Sequence, residues 1–191
     1  MTRRSMIAVI GNAGVRDGDV TYSLAFDVGR EAVDRGYRLV TGGLSGVMEA
    51  ACRGAKSSKA YREGDTVGIL PQSDPDAANP WVDIVIATGM SHARNAIVPN
   101  ADAVIAIGGG AGTLSEICFA WTYRRLIVAL DAEGWSSRLA DMVLDHRSRY
   151  PEIPDDKIYA ALTAAEALDL IDSKLALYSR RGRSFQGNGD I

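Results

Sequence analysis

The sequence predicts an α/β protein, a single Rossmann-like domain of three layers in which a mostly parallel sheet lies between helices. Two observations predict it. Short apolar runs alternate along the chain with longer segments whose apolar residues recur at helical spacing. The apolar runs are continuous, which is typical of parallel strands that helices cover on both faces. The length of 191 residues fits one domain, to which we assign residues 1–179, with residues 180–191 as a disordered tail.

Each strand is predicted from an apolar run that stops at a turn residue. The first run is closed by Gly11, the second by Gly42 and the third by Pro71. Strands are predicted in this way over residues 6–10, 37–41, 66–70, 81–88, 101–107, 126–130 and 157–162.

The segments between the strands carry the helical pattern. In the first of them Leu24, Val28 and Ala32 share one face, charged residues cover the other face, and Gly36 marks the end. Helices are predicted over residues 19–35, 45–56, 92–98, 112–123, 135–145 and 163–177. The proline-containing segments 72–80 and 148–156 are predicted to be irregular.

Composition and charge exclude several classes of function. A formal net charge of −3 and an isoelectric point near 5.4 argue against a general affinity for nucleic acid or for an anionic membrane. No apolar run approaches the roughly 18 residues of a membrane span, and the run at residues 6–10 is too short for a signal peptide, so we expect a cytoplasmic protein. Two cysteines and two histidines are too few for a disulfide framework or a multi-histidine metal site.

Three strand-to-helix turns are rich in glycine, at residues 11–14, 42–46 and 108–116. Glycine lets backbone amides approach a ligand, and a helix that begins just after the turn adds unpaired amides and the positive end of its dipole. The first turn is equally consistent with a tight connection. The third has four glycines in five positions, which is more than a turn needs, and it predicts a phosphate site. The residues expected to hold the phosphate are Gly109, Gly110, Ala111, Gly112 and Thr113.

Other motifs fit these turns less well. A P-loop requires Gly-Lys-Ser/Thr, and no lysine follows any of the three turns. The dinucleotide fingerprint requires a third glycine where Thr113 stands, although Asp131 lies near the distance expected of a ribose-binding carboxylate. A nucleophile elbow requires Gly-x-Ser-x-Gly, whereas Ser45 lies in Gly-Leu-Ser-Gly.

Glu116 has two interpretations. Thr113 and Glu116 have the spacing of a capping box, in which both side chains satisfy backbone amides at the start of a helix. Alternatively, Glu116 is a carboxylate in the first helical turn that faces the same pocket as the phosphate amides. Spacing alone favours the cap.

The third turn resembles the hallmark of the LOG-like family, whose members were long mislabelled as lysine decarboxylases. That hallmark is Pro-Gly-Gly-x-Gly-Thr-x-x-Glu, and residues 109–116 match it, with Gly108 in place of the proline. Residues 42–48 are similar to the family's Gly-Gly-x-x-Gly-Leu-Met turn. A lysine decarboxylase is not supported, because no lysine follows a glycine turn where it would hold pyridoxal phosphate.

An upstream segment resembles the family's second hallmark, Met-His-x-Arg-Lys. His92 and Arg94 match it, whereas Ser91 replaces the methionine and Asn95 replaces the lysine. Composition alone is equally consistent with Arg94 being an ordinary surface arginine. The departures from the hallmarks are most similar to the subgroup that contains molybdenum-cofactor carrier proteins.

The resemblance implies two functions. Enzymes of the family cleave the N-glycosidic bond of nucleoside 5′-monophosphates, and the residues that match Arg94 and Glu116 are catalytic in them. The carriers hold a phosphorylated pterin without turnover, which the uncharged Asn95 favours here. Hydrolysis would require no cofactor, and the bound ligand would be a nucleotide or molybdenum cofactor. Family members associate, so a homo-oligomer, a dimer or tetramer, is expected. The residues expected to contact the rest of the ligand are Gly11, Asn12, Gly14, Gly42, Gly43, Met90, His92 and Asn95.

Overall fold

The computed structural model describes residues 3–178. The tail predicted for residues 180–191 lies outside this part, as do both ends of the predicted domain 1–179. The strands are β1 Met6–Gly11, β2 Arg38–Thr41, β3 Thr66–Leu70, β4 Ile84–Ala87, β5 Ala103–Gly109, β6 Leu126–Gly134 and β7 Tyr159–Ala161. The α-helices are α1 Val20–Asp34, α2 Val47–Ser57, α3 Ala111–Thr122, α4 Trp135–Leu139 and α5 Ala164–Lys174. Short 3-10 helices lie at Pro75–Ala77, Ser91–Ala96 and Leu175–Tyr178.

The strands form one parallel sheet in the order β4-β3-β2-β1-β5-β6-β7. The chain builds one half of the sheet outward from β1 and then returns to the other side of β1 with β5. The carboxyl ends of β1 and β5 therefore flank the point where the strand order reverses, which is where ligands bind in open α/β sheets. Gly11 pairs with Ile107 at this point. The first and third glycine turns thus leave the sheet side by side.

Helices cover both faces of the sheet. Val28 of α1, Ala51 of α2 and Leu168 of α5 are buried on one face, whereas Ile117 of α3 and Leu139 of α4 are buried on the other. The strands supply both cores because successive residues point to opposite faces. This arrangement confirms the predicted Rossmann-like domain of three layers.

The expectation that helices cover both faces is wrong at one edge of the sheet. β4 is the outermost strand on its side, and it is shorter than the strand predicted over residues 81–88. The side chains of Ile84 and Ile86 are 47% and 46% exposed. These two residues share one face of the strand, and that face is open to solvent. The apolar run of this edge strand was expected to be buried on both faces, but one of its faces is exposed.

Two predicted helices differ from the observed structure. The segment predicted as a helix over residues 92–98 is the 3-10 helix Ser91–Ala96, which begins at a residue with a φ of 50°. The helix predicted over residues 135–145 ends at Leu139. Beyond it, the amide of Asp141 donates a hydrogen bond of 2.7 Å to the carbonyl of Ile158, so the chain pairs with the segment before β7 instead of continuing the helix.

Candidate functional site

The turn between β5 and α3, residues 108–113, is named the phosphate turn, and it brings a row of backbone amides to the edge of the sheet. Gly109 has a φ of 91°, a conformation that glycine adopts without strain. The chain enters α3 at Ala111, and Gly110 precedes the helix without a side-chain cap. The amides of Ala111, Gly112 and Thr113 lie in the first helical turn, where no carbonyl of the helix accepts from them. The turn therefore presents free donors and the positive end of a helix dipole to an anion.

The interpretation of Thr113 and Glu116 as a capping box is wrong. The helix begins at Ala111, two residues before Thr113. Thr113 is therefore the third residue of the helix instead of its N-cap, and Glu116 lies in the second turn. The two residues are only 4% and 7% exposed. The Glu116 carboxyl group is free of a capping role and lies at the cavity described below.

A buried hydroxyl group fixes the start of this turn. The amide of Gly108 donates a hydrogen bond of 2.6 Å to Oγ of Ser136, and the same hydroxyl donates to the carbonyl of Leu130 at 2.7 Å. Ser136 is fully buried. Because the amide of Gly108 already donates this hydrogen bond, the amides that a ligand can bind begin at the next residue.

A cavity of about 550 Å³ lies at the point where the strand order reverses. Predicted residues from all three glycine turns and from the 3-10 helix Ser91–Ala96 line this one cavity. The predicted residues that line it are Gly11, Asn12, Gly42, His92, Arg94, Asn95, Gly110, Gly112, Thr113 and Glu116.

Other predicted residues are not part of this lining. Gly14 lines a neighbouring cleft, and Gly109 lines a third cleft. Gly43 is buried and packs against the backbone of β3. Ala111 and Met90 are exposed to solvent outside the cavity. These residues were predicted to contact a ligand, but they do not line the cavity.

Some lining residues were missed by the sequence reasoning. Met48 of α2, Pro71 and Gln72 after β3, and Ser91 at the start of the 3-10 helix all face the cavity. Pro71 and Gln72 had a signal, because the carboxyl end of β3 lies at the same edge of the sheet as those of β1 and β5. Met48 contributes to an apolar wall beside the polar groups, a combination that is typical of sites for small heterocycles.

Arg94 and Glu116 meet inside the cavity. Nη1 of Arg94 lies 3.4 Å from Oε1 of Glu116, and the two side chains are 11% and 9% exposed. Burial raises the pKa of Glu116 to about 7, while the charge of Arg94 opposes this shift. Burial also lowers the pKa of Arg94, against the effect of the Glu116 charge. A carboxyl group that changes its charge near neutral pH is a common feature of reactive sites.

Asn95 connects the 3-10 helix to the phosphate turn. Its Nδ2 donates a hydrogen bond of 2.9 Å to Oγ of Ser115, which donates in turn to the carbonyl of Gly112 at 2.6 Å. Asn95 is only 7% exposed. The residue that stands in place of the family's lysine is therefore a neutral, buried link between the two halves of the site.

The described part of the chain has neither a metal-binding cluster nor a membrane-spanning helix. Across residues 3–178, no group of three or more His, Cys, Asp or Glu side chains is placed to hold a metal ion. His92 lies at the exposed rim of the cavity. In the same part of the chain, no helix combines the length and the apolar character that crossing a membrane requires.

Comparison with known proteins gives the family. The sequence model of the SLOG cluster4 family matches residues 4–159. An uncharacterized protein of Archaeoglobus fulgidus is 46% identical over 125 residues, which cover 65% of this chain and 78% of that protein. A cytokinin riboside 5′-monophosphate phosphoribohydrolase of Mycobacterium marinum is 33% identical over 139 residues, which cover 62% of this chain and 70% of the enzyme.

The fold is shared with a solved structure. The molybdenum cofactor binding protein from the phototrophic bacterium Rippkaea orientalis superposes with a TM-score of 0.74 at 31% sequence identity. The superposition covers 91% of this chain and 98% of that protein. The similar proteins thus include both a phosphoribohydrolase and a cofactor-binding protein.

Proposed function

The chain belongs to the SLOG cluster4 family, and we propose that it hydrolyses the N-glycosidic bond of nucleoside 5′-monophosphates, releasing the base and ribose 5-phosphate. The observation that carries this proposal is the buried pair of Arg94 and Glu116, which shares one cavity with the phosphate turn. A carboxyl group whose pKa lies near 7, beside an anion site, is more typical of a catalytic site than of a site that only binds a ligand. The similarity to the phosphoribohydrolase of Mycobacterium marinum supports the same reaction.

The proposed ligand spans the cavity from the turn to the apolar wall. Its 5′-phosphate binds the backbone amides of Gly110, Gly112 and Thr113, the part of the turn that lines the cavity, and Thr113 adds its hydroxyl group. The base lies toward Met48, His92 and the turn after β1, which also line the cavity. The ribose then lies between them, next to Glu116.

Cleavage of the bond between C1′ and the base nitrogen passes through a ribosyl centre with oxocarbenium character, which a nearby carboxylate stabilises. Glu116 supplies this carboxylate and accepts a proton from the attacking water, whose oxygen bonds to C1′. The electron pair of the broken bond leaves with the base, which takes up a proton. Arg94 orients Glu116 and favours its ionised form.

Incubation with AMP, GMP, CMP and UMP, followed by chromatography for free base and ribose 5-phosphate, tests this proposal. The wild-type protein is expected to release base from at least one of them. Glu116→Gln preserves the shape of the side chain without its charge and is expected to slow release by about 100-fold or more. Unchanged cleavage by Glu116→Gln would contradict the mechanism, and no release of base by the wild type would contradict the reaction.

A second candidate function is the binding of molybdenum cofactor, or a related phosphorylated pterin, without turnover. Asn95 favours it, because the position that is lysine in the family's enzymes is neutral here and bonded to Ser115. The similarity to the molybdenum cofactor binding protein of Rippkaea orientalis favours the same ligand. The phosphate turn would hold the phosphate of the pterin. Absence of base release, together with a fluorescent pterin retained through purification, would decide for this function.

We also propose that the protein forms a homo-oligomer, a dimer or a tetramer. Ile97 and Phe119 are 39% and 37% exposed, and the segment that ends in Ile97 packs against α3, which carries Phe119. Large apolar side chains exposed on neighbouring elements are typical of interfaces between proteins. Light scattering measures the molar mass in solution against the 20.4 kDa of one chain. A mass of one chain at micromolar concentration would contradict the oligomer.

A further inference from the structure

Gly42 lies directly after β2, and its bare backbone is in contact with the side chain of Arg94. A methyl group placed on Gly42 would lie 2.5 Å from Nη2 of Arg94 and nearer still to Nη1. The same methyl would lie 2.6 Å from the sulfur of Met48. Ordinary van der Waals contact begins at about 3.4 Å. The guanidinium group therefore occupies space that only glycine leaves open at this position.

This contact differs from those of the neighbouring glycines. A methyl group on Gly11 would overlap the carbonyl oxygen of Ile107, and Gly43 and Gly46 have φ values of 74° and 70° that disfavour any other residue. Substitution at those positions would strain the backbone. At Gly42, by contrast, the three atoms nearest to the methyl group would be the ends of two flexible side chains, those of Arg94 and Met48. The fold can accommodate alanine there, but the guanidinium group of Arg94 cannot stay where it is.

The position of that guanidinium group matters because its contact with Glu116 is already long. The distance of 3.4 Å is at the outer limit of a hydrogen bond. A displacement of roughly 1 Å away from Gly42 is enough to change both the direction and the length of this contact, and misplacements of this size can lower enzymatic rates by about 100-fold. The attraction that favours the ionised form of the carboxyl group would then change.

We propose that Gly42 is a positioning residue. Because it lacks a side chain, it lets the guanidinium group of Arg94 lie against Glu116, and it thereby controls the ionisation of that carboxyl group. Gly42 was expected from the sequence to contact the ligand, and in this assignment it acts through Arg94 instead. The consequence for turnover rests on the proposed hydrolysis. The consequence for the Glu116 carboxyl group does not, since it exists in the protein without ligand.

The test is the Gly42→Ala variant of the full chain, with no ligand added. The titration of Glu116 is followed by NMR of protein labelled with carbon-13 at glutamate carboxyl groups, and Glu116→Gln assigns the signal. We expect Gly42→Ala to unfold at nearly the wild-type temperature and to show the Glu116 pKa shifted by about half a unit or more. Gly110→Ala is the matched control for the titration, because it adds a methyl group to the same cavity with no atom within 4 Å. An unshifted Glu116 signal in Gly42→Ala would overturn the proposal.

The Arg94→Ala background separates an effect through Arg94 from a direct effect on the ligand. For hydrolysis of AMP we expect Gly42→Ala to lower kcat by about 10-fold or more with little change in KM. In Arg94→Ala protein the same substitution is expected to lower kcat much less, because the guanidinium group is gone and only the Met48 side chain is still displaced. Equal losses in the two backgrounds would show that the methyl group obstructs the ligand directly, and would overturn the proposal. If the wild type proves to have no hydrolase activity, the titration still decides whether Gly42 positions Arg94.

Discussion

The guanidinium group of Arg94 lies 3.4 Å from the carboxyl group of Glu116, and both are held away from bulk solvent in one cavity. Burial raises the pKa of the carboxyl group to about 7 and lowers the pKa of the guanidinium group. Near neutral pH the protein therefore exists both with and without a proton on Glu116. The net charge at this point of the site changes over about two pH units around 7.

We expect the hydrolysis of AMP to increase with pH and to level off above about pH 7, because Glu116 must be ionised to stabilise a ribosyl cation and to accept a proton from water. The measurement is kcat/KM for AMP between about pH 5 and pH 9, which reports ionisations of the free protein. The residual activity of Glu116→Gln should lack this increase. A rate that falls as the pH rises through 7 would mean that the protonated carboxyl group is the active form, contrary to the proposed mechanism.

The same carboxyl group is expected to make the folded protein less stable as the pH rises. Between the ordinary pKa of 4.5 and the folded-state value of about 7, the native chain holds a proton that the unfolded chain has released. The free energy of unfolding therefore falls through this window, by up to about 3 kcal/mol. Urea unfolding at about pH 5 and about pH 8 measures the difference, which Glu116→Gln should reduce. The same pH dependence in both proteins would contradict the raised pKa.

Gly109 and Gly110 are adjacent in the phosphate turn but are expected to respond differently to alanine. At Gly110 the methyl group would meet no atom within 4 Å, and the φ of −102° suits alanine. Gly110→Ala should fold normally yet bind AMP about 10-fold more weakly or worse, because the methyl group occupies space that the phosphate needs to reach the amides. At Gly109 the φ of 91° and overlap with the Thr113 side chain predict destabilisation by about 2 kcal/mol. Thermal unfolding and calorimetric titration with AMP distinguish the two effects, and wild-type affinity in Gly110→Ala would contradict the phosphate assignment.

The Thr-x-x-Glu pattern occurs at two helix starts, and the sequence could not tell them apart. Before α5 the side chain of Thr163 accepts a hydrogen bond of 3.2 Å from the amide of Glu166, whose carboxylate accepts one of 2.8 Å from the amide of Leu162. At Thr113 the same spacing gives no cap, because the helix has already begun at Ala111. The start of that helix is set by the end of β5 and by the glycine turn. The four-residue Thr-x-x-Glu motif carries no information about either.

The parts of the fold and site that were predictable depend on strong local patterns or on one topological rule. Continuous apolar runs identified the strands, and the rule that parallel strands share a carboxyl edge placed Arg94 and Glu116 at the same edge of the sheet. The solvent-exposed face of β4 at Ile84 and the contact of Gly42 with Arg94 had no such signal in the sequence. Both depend on which elements pack against each other in three dimensions, and glycine has the same appearance in a sequence whether it turns the chain or makes room for a neighbour.

At the crossing of α1 and α2, the close contact between the two backbones also decides the effect of a substitution at glycine. A methyl group on Gly54 of α2 would overlap the backbone carbonyl of Phe26 in α1, and one on Gly29 of α1 would overlap that of Ala51 in α2. Alanine is favoured over glycine inside a helix by about 1 kcal/mol. We nevertheless expect Gly54→Ala to destabilise the protein by about 2 kcal/mol or more, because the two helices must separate and their shared core loses its packing.

Urea unfolding of Gly54→Ala at neutral pH measures this effect, and Gly112→Ala provides the matched control. Gly112 also lies in a helix, but a methyl group there would meet nothing nearer than the side-chain nitrogen of Asn95 at 3.9 Å. The control should therefore show the helix-forming advantage of alanine, a gain of up to about 1 kcal/mol. Stabilisation of both variants would mean that the close contact between α1 and α2 does not exist in solution. Destabilisation of Gly54→Ala alone would show that direct backbone contact between the two helices outweighs helix propensity at this crossing.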